Sequence, residues 1–261
     1  MRHQRETNRP DTKGAFEAFI HCTIIFCWID AADAGLEKVP SQGSTPEGES
    51  HVRGAMTSVF DAKFTHLTRT RAYLRSLPNG LASYPEARSK GFVWKNIHSW
   101  TDTTSLQEKL PSDPELLPSR AVLAGSWIPA VQSFAGHLVL RDCLFSSDEA
   151  IIEHFRAMDR ELMSSPVYRV LFALASPAMA VRGASRSFAA MFQGLALHGQ
   201  SSGGNSVDLA LQYPAALLPS LVARLYLVAF EVAVELAGGK SVVGRMIGHG
   251  LVQTTFTISW E

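Results

Sequence analysis

The last fifty residues constrain the fold most. A long apolar helix is expected from Tyr213 to Gly238, closed by Gly238-Gly239, after which the chain turns into Lys240-Ser241-Val242-Val243. Arg224, Glu231 and Glu235 fall on one side of that helix. Leu218, Leu221, Val222, Leu225, Ala229, Val232 and Leu236 fall on the other. Burying those aliphatic side chains contributes on the order of 10 kcal/mol before entropy, at about 1.5–3 kcal/mol for each large one. The helix is therefore expected at the centre of the core, its charged stripe solvated or bridged through Arg224. After a turn at Gly248-His249-Gly250, Thr254, Phe256, Ile258 and Trp260 alternate with Thr255, Thr257 and Ser259. That alternation is the pattern of an antiparallel strand with one wet face.

Ahead of the helix the period also changes from helical to alternating. Phe60, Phe64, Leu67, Tyr73 and Leu74 suggest a helix that Leu77-Pro78-Asn79-Gly80 ends, and a short element follows at Phe92-Val93-Trp94. Pro111, Pro114 and Pro118 punctuate a loop in which Asp113 is placed to cap one helical turn. Helices are expected over 129–143 and over 147–163, the second with Asp148-Glu149 in its first turn and Ile151, Ile152, Phe155, Met158 and Leu162 on one face. Pro166 and Pro177 mark boundaries, and a further helix is expected over 184–193. Leu195 and Leu197, a Gly-rich loop over 199–205, then Val207, Leu209 and Leu211 read as a hairpin. The fold class expected is α+β: N-terminal helices packed on a small antiparallel sheet, with a long buried helix before a C-terminal hairpin.

A chain of 261 residues with 46% hydrophobic content can bury a substantial core. Lys+Arg and Asp+Glu number 24 each, so the overall charge gives no reason to expect a nucleic-acid partner. Cys22, Cys27 and Cys143 are an odd set, which argues against a disulfide framework and for a reducing, cytoplasmic setting. Arg2, Arg5, Arg9 and Lys13 before an apolar run resemble a secretion signal, but Glu17 and His21 interrupt the run. Residues 1–55 are expected to be a poorly ordered extension through a Pro/Gly/Ser/Glu-rich linker. Residues 56–261 are expected to form one α+β domain, Met56 opening an amphipathic segment. Residues 215–236 are long enough to cross a bilayer, but Arg224, Glu231 and Glu235 break the stretch, so no membrane span is expected.

The motifs do not spell out a reaction. Gly238-Gly239-Lys240-Ser241 resembles the end of a phosphate-binding loop, but Val234 stands where the first glycine is needed and the motif follows a helix rather than opening one. A left-handed glycine cap is the expected role. No Glu-x-x-His accompanies Glu231 and Glu235, and the nine histidines are scattered singly, so no metal is expected. There is no Gly-x-Ser-x-Gly elbow, and Cys143 has only Arg141 as a charged neighbour, so no catalytic residue is assigned. Trp127, Tyr168, Phe172, Phe188, Phe192, Tyr226 and Trp260 are the candidate lining of an apolar pocket; the competing role is plain core.

Lys90-Gly91, Ser126-Trp127-Ile128-Pro129, Ser176-Pro177, the 184–192 segment, Glu235 to Val242, and the closing Thr254-x-Phe256-x-x-x-Trp260 stand in a telling order. Over residues 90–261 the chain resembles a myxobacterial paralogous family of unknown function. That family is similar in layout to the haem-NO-binding and 4-vinyl-reductase-type domains, an α/β scaffold that encloses small ligands. The resemblance implies a non-catalytic ligand-binding or sensory domain, its partner a small apolar molecule. The rival is an interaction or scaffold domain with a filled core. The haem-NO-binding Tyr-x-Ser-x-Arg set is broken, since Glu86 takes the serine place within Tyr84–Arg88. Thr254 stands where related domains carry a cysteine. No cofactor is therefore assigned; haem on a lone His137 or His154 is the remaining option.

Overall fold

The computed structural model describes residues 66–110 and 116–261. The extension over 1–55, Phe60, Phe64 and Asp113 lie outside the described residues. The described chain is α+β.

Three helices lie where the sequence places them. Helix α1 (Thr68–Ser76) ends before Pro78. Helix α4 (Ala130–Leu144) is buried on nearly every side from Ala130 to Leu140. Helix α5 (Asp148–Met163) starts at Ser147, whose hydroxyl accepts from the Ala150 amide, and it buries Ile151, Ile152, Phe155 and Met158. Between α1 and α4 lie strand β1 (Arg88–Lys90), helices α2 (Gly91–Trp100) and α3 (Thr104–Lys109), and strand β2 (Trp127–Pro129). The short element expected at Phe92-Val93-Trp94 is thus a ten-residue helix. Its Trp94 lies across Gly136 of α4, where a Cβ would strike the indole, and the indole N–H donates to Ser133 Oγ at 2.9 Å.

Helix α6 (Pro166–Leu174) and helix α7 (Pro177–Met191) both begin at the prolines expected as boundaries, since proline's fixed φ suits a first helical turn. Helix α7 therefore starts earlier than the 184–193 segment. Its end becomes strand β3 (Phe192–Gln193), which joins β1 and β2 in a small sheet of order β2-β1-β3.

The second sheet has the order β4-β5-β7-β6, built from β4 (Ala196–Ser201), β5 (Ser206–Gln212), β6 (Val243–His249) and β7 (Gln253–Ser259). All its pairings are antiparallel. Leu209 faces Phe256 and Val207 faces Ile258 across the central pair, all four buried. On the other face Thr257 donates to Asp208 at 2.6 Å.

Helix α8 (Ser220–Leu236) comes next before β6 in the chain. It begins seven residues after Tyr213, because Pro214, the left-handed Ala216 (φ 58°) and Pro219 fill the interval with a turn. Gly238 (φ 92°) ends it: the Gly238 amide donates to Glu235 and the Gly239 amide to Val234, the paired bonds of a glycine cap. Helix α8 packs between α4, α5, α6 and α7 on one side and β6 and β7 on the other. Its charged residues form neither a solvated stripe nor one bridged through Arg224. Glu231 is buried and pairs with Arg156 of α5, Glu235 pairs with Arg160, and Arg224 turns to Asp148 and Glu149. Among the described residues no helix is long and apolar enough to cross a membrane.

Candidate functional site

A cavity of about 340 Å³ lies among α5, α7 and α8, with contributions from α2, α4 and α6. It exists because alanines line facing helices: Ala180 and Ala184 on α7, Ala229 and Ala233 on α8. A leucine at those turns would fill the space that a methyl group leaves. The lining runs from buried Phe188 to exposed Leu174 and Met179, so the cavity reaches from the core to the surface. Met158, Met163, Met179 and Met191 supply flexible, polarisable wall.

Of the seven candidate aromatics, Tyr168, Phe172, Phe188, Phe192 and Tyr226 border this space. Phe188 and Phe192 stack with centroids 4.5 Å apart, and Tyr226 meets each of them edge-on at 5.6 Å. Trp127 and Trp260 are elsewhere. Trp127 lies on β2 under the Lys90 ammonium, 3.9 Å from its ring centre. Trp260 follows β7, its amide bonded to Asn205.

Asp159, Ser187 and Asn96, which the sequence left unassigned, line the cavity together with His137, which it weighed as a haem ligand. Asp159 belongs to the inward face of α5, between Phe155 and Leu162. Among the described residues its carboxyl has no hydrogen bond or ion pair. Burial pushes its pKa up to about 7, with the Arg156 charge pulling the other way. The neighbouring arginines are engaged elsewhere, Arg156 with Glu231 and Arg160 with Glu235, each at 2.6 Å. Ser187 is buried, and its hydroxyl has no partner. His137 is buried too. Its Nδ1 lies 2.7 Å from the Ser133 carbonyl, and burial lowers its pKa to about 4 against that bond. Burial also raises the Tyr226 phenol well above its ordinary range.

Serine, histidine and aspartate thus share one wall without forming a relay. Ser187 has no partner, and His137 is held by a backbone carbonyl rather than by Asp159. His154 lies apart, bonded through Nε2 to Thr101 at 3.0 Å and packed on Phe145 and Phe155. No cluster of ligands suited to a metal ion occurs among the described residues. The sequence did carry a signal for Asp159: an acid one residue after Met158, inside the apolar period of its own helix.

No protein-family model matches the sequence, and no curated protein does. Solved structures similar to this chain are H-NOX domains. One, from work probing haem distortion in the H-NOX family, is 10% identical at a TM-score of 0.47 and covers 66% of this chain and 95% of that one. A Cs H-NOX mutant carrying 4-cyano-L-phenylalanine is 11% identical at a TM-score of 0.47, covering 66% and 96%. The Fe(II) unliganded H-NOX protein from K. algicida is 13% identical at the same TM-score of 0.47 and the same coverages of 66% and 96%. The chain is similar to them in layout.

Proposed function

We propose that this chain is a non-catalytic domain that binds a small, largely apolar molecule in the cavity between α5, α7 and α8. The observation that carries the reading is the cavity itself. Its size of about 340 Å³ lies within the range of roughly 300–1,000 Å³ in which small-molecule sites fall. Its wall is mostly aliphatic, aromatic and thioether, with a few convergent polar groups, the usual make-up of such sites. A filled-core interaction domain would not keep this space. Native mass spectrometry on gently purified protein tests the reading: a co-purifying or titratable small molecule, lost on Ala229→Leu, is expected. Failure of every apolar probe to bind would overturn it.

One observation favours a second reading, haem: His137 lines the cavity with Nδ1 on a backbone carbonyl, the arrangement that orients a metal-binding imidazole. The rest of the wall does not fit that group. Haem carries two carboxylates, and the cavity lining holds an acid, Asp159, and neither Lys nor Arg. Addition of haem is expected to give no Soret band; a band abolished by His137→Ala would reverse this conclusion.

A further inference from the structure

Resting on the cavity reading, we infer that the molecule bound there is an amine, protonated at neutral pH, on an apolar body of aromatic or short aliphatic character, with its ammonium seated against the Asp159 carboxylate.

The argument starts from the arginines. Helix α5 carries Arg156 and Arg160 on either side of Asp159, and both guanidiniums reach across to α8 instead, to Glu231 and Glu235. Asp148 likewise has Arg69 and Arg141, and Glu149 has Arg224. Each of these acids on α5 and α8 is matched, while Asp159 faces the cavity with no ion pair among the described residues. A carboxylate in an apolar wall without a partner is unfavourable unless it takes up a proton or something brings a donor to it. A neutral or anionic guest does not compensate the charge; an ammonium does.

Two further features suit that guest. Phe188, Phe192 and Tyr226 present a joined aromatic surface to the same space, and such faces attract organic cations. Ser187 adds an unpartnered, buried hydroxyl whose oxygen can accept an N–H. The cavity lining holds no Lys or Arg that would repel the cation, and burial keeps His137 neutral at pH 7.

The test uses the full chain and three probes of matched shape: phenylbutylamine, phenylbutanol and phenylbutyrate, titrated by calorimetry near pH 8. The amine is expected to bind about ten- to a hundredfold more tightly than the alcohol, the range of a charge-assisted hydrogen bond, and the acid most weakly. Asp159→Asn is expected to bring the amine to the level at which the same variant binds the alcohol. Should that variant not fold, Tyr226→Leu serves, and it is expected to weaken the amine more than the alcohol. Equal affinity for amine and alcohol, preference for the acid, or an amine preference that survives Asp159→Asn overturns the inference. Alcohol binding without amine preference leaves the cavity reading standing; binding of none of the three removes both.

Discussion

Asp159 and His137 titrate in opposite senses within one cavity, and the pH dependence of stability should show it. The Asp159 pKa is raised in the folded state to about 7, so the native form binds more protons between roughly pH 4 and 7, and this residue makes stability fall as pH rises through that window. The His137 pKa is lowered to about 4, so the unfolded form binds more protons, and this residue makes stability fall as pH drops below about 6.5. His98, His154 and His249 are lowered by burial in the same sense as His137. Urea titrations from pH 4.5 to 7.5 are therefore expected to be steeper toward acid in Asp159→Asn than in the parent protein. A profile unchanged by the substitution would mean that Asp159 is well solvated. At Ser187 the hydroxyl makes no bond, so Ser187→Ala is expected to be neutral or stabilising by less than about 1 kcal/mol. A loss beyond that in chemical denaturation would reveal a partner for the hydroxyl.

At the scale of elements, Glu231 joins three of them: it accepts from Arg156 of α5 at 2.6 Å and from the Gly244 amide of β6 at 2.8 Å, while belonging to α8. Gly244 permits this approach, since a Cβ there would strike Glu231 and Leu227. The Arg156–Glu231 side chains are 24% and 11% exposed, against 52% and 30% for Arg160–Glu235. Breaking the first pair leaves a buried charge and breaking the second does not. Arg156→Ala is expected to destabilise by about 2–3 kcal/mol and Arg160→Ala by less than about 1 kcal/mol, read from urea unfolding midpoints. Equal effects would show that the first pair is solvated in solution.

For the whole molecule, the cavity is a packing defect kept among α5, α7 and α8, so filling it should separate stability from binding. Ala229→Leu is expected to raise stability by about 1 kcal/mol, a few degrees in Tm, while abolishing probe binding. A variant that gains stability and still binds would place the guest elsewhere. The sequence made much of this architecture legible, because caps and periods are local. Ser147 starts α5, Pro177 starts α7, Gly238 ends α8, and the alternation from Thr254 to Ile258 marks the inner face of β7. The small sheet escaped, since strands as short as Arg88–Lys90 and Phe192–Gln193 carry no period to read. Helix α2 also exceeded its sequence signal, its Trp94 fitting only because Gly136 lies 42 positions later against it. By itself the sequence determined which residues repeat at helical or strand spacing and where each element caps, because backbone geometry and neighbouring side chains settle those matters. Only the tertiary structure decided that Arg156 and Arg160 turn to α8 and leave Asp159 unmatched, and that alanines on separate helices meet around a void. Ion-pair choice and empty volume depend on distances between elements far apart in the chain, and no local pattern encodes those distances.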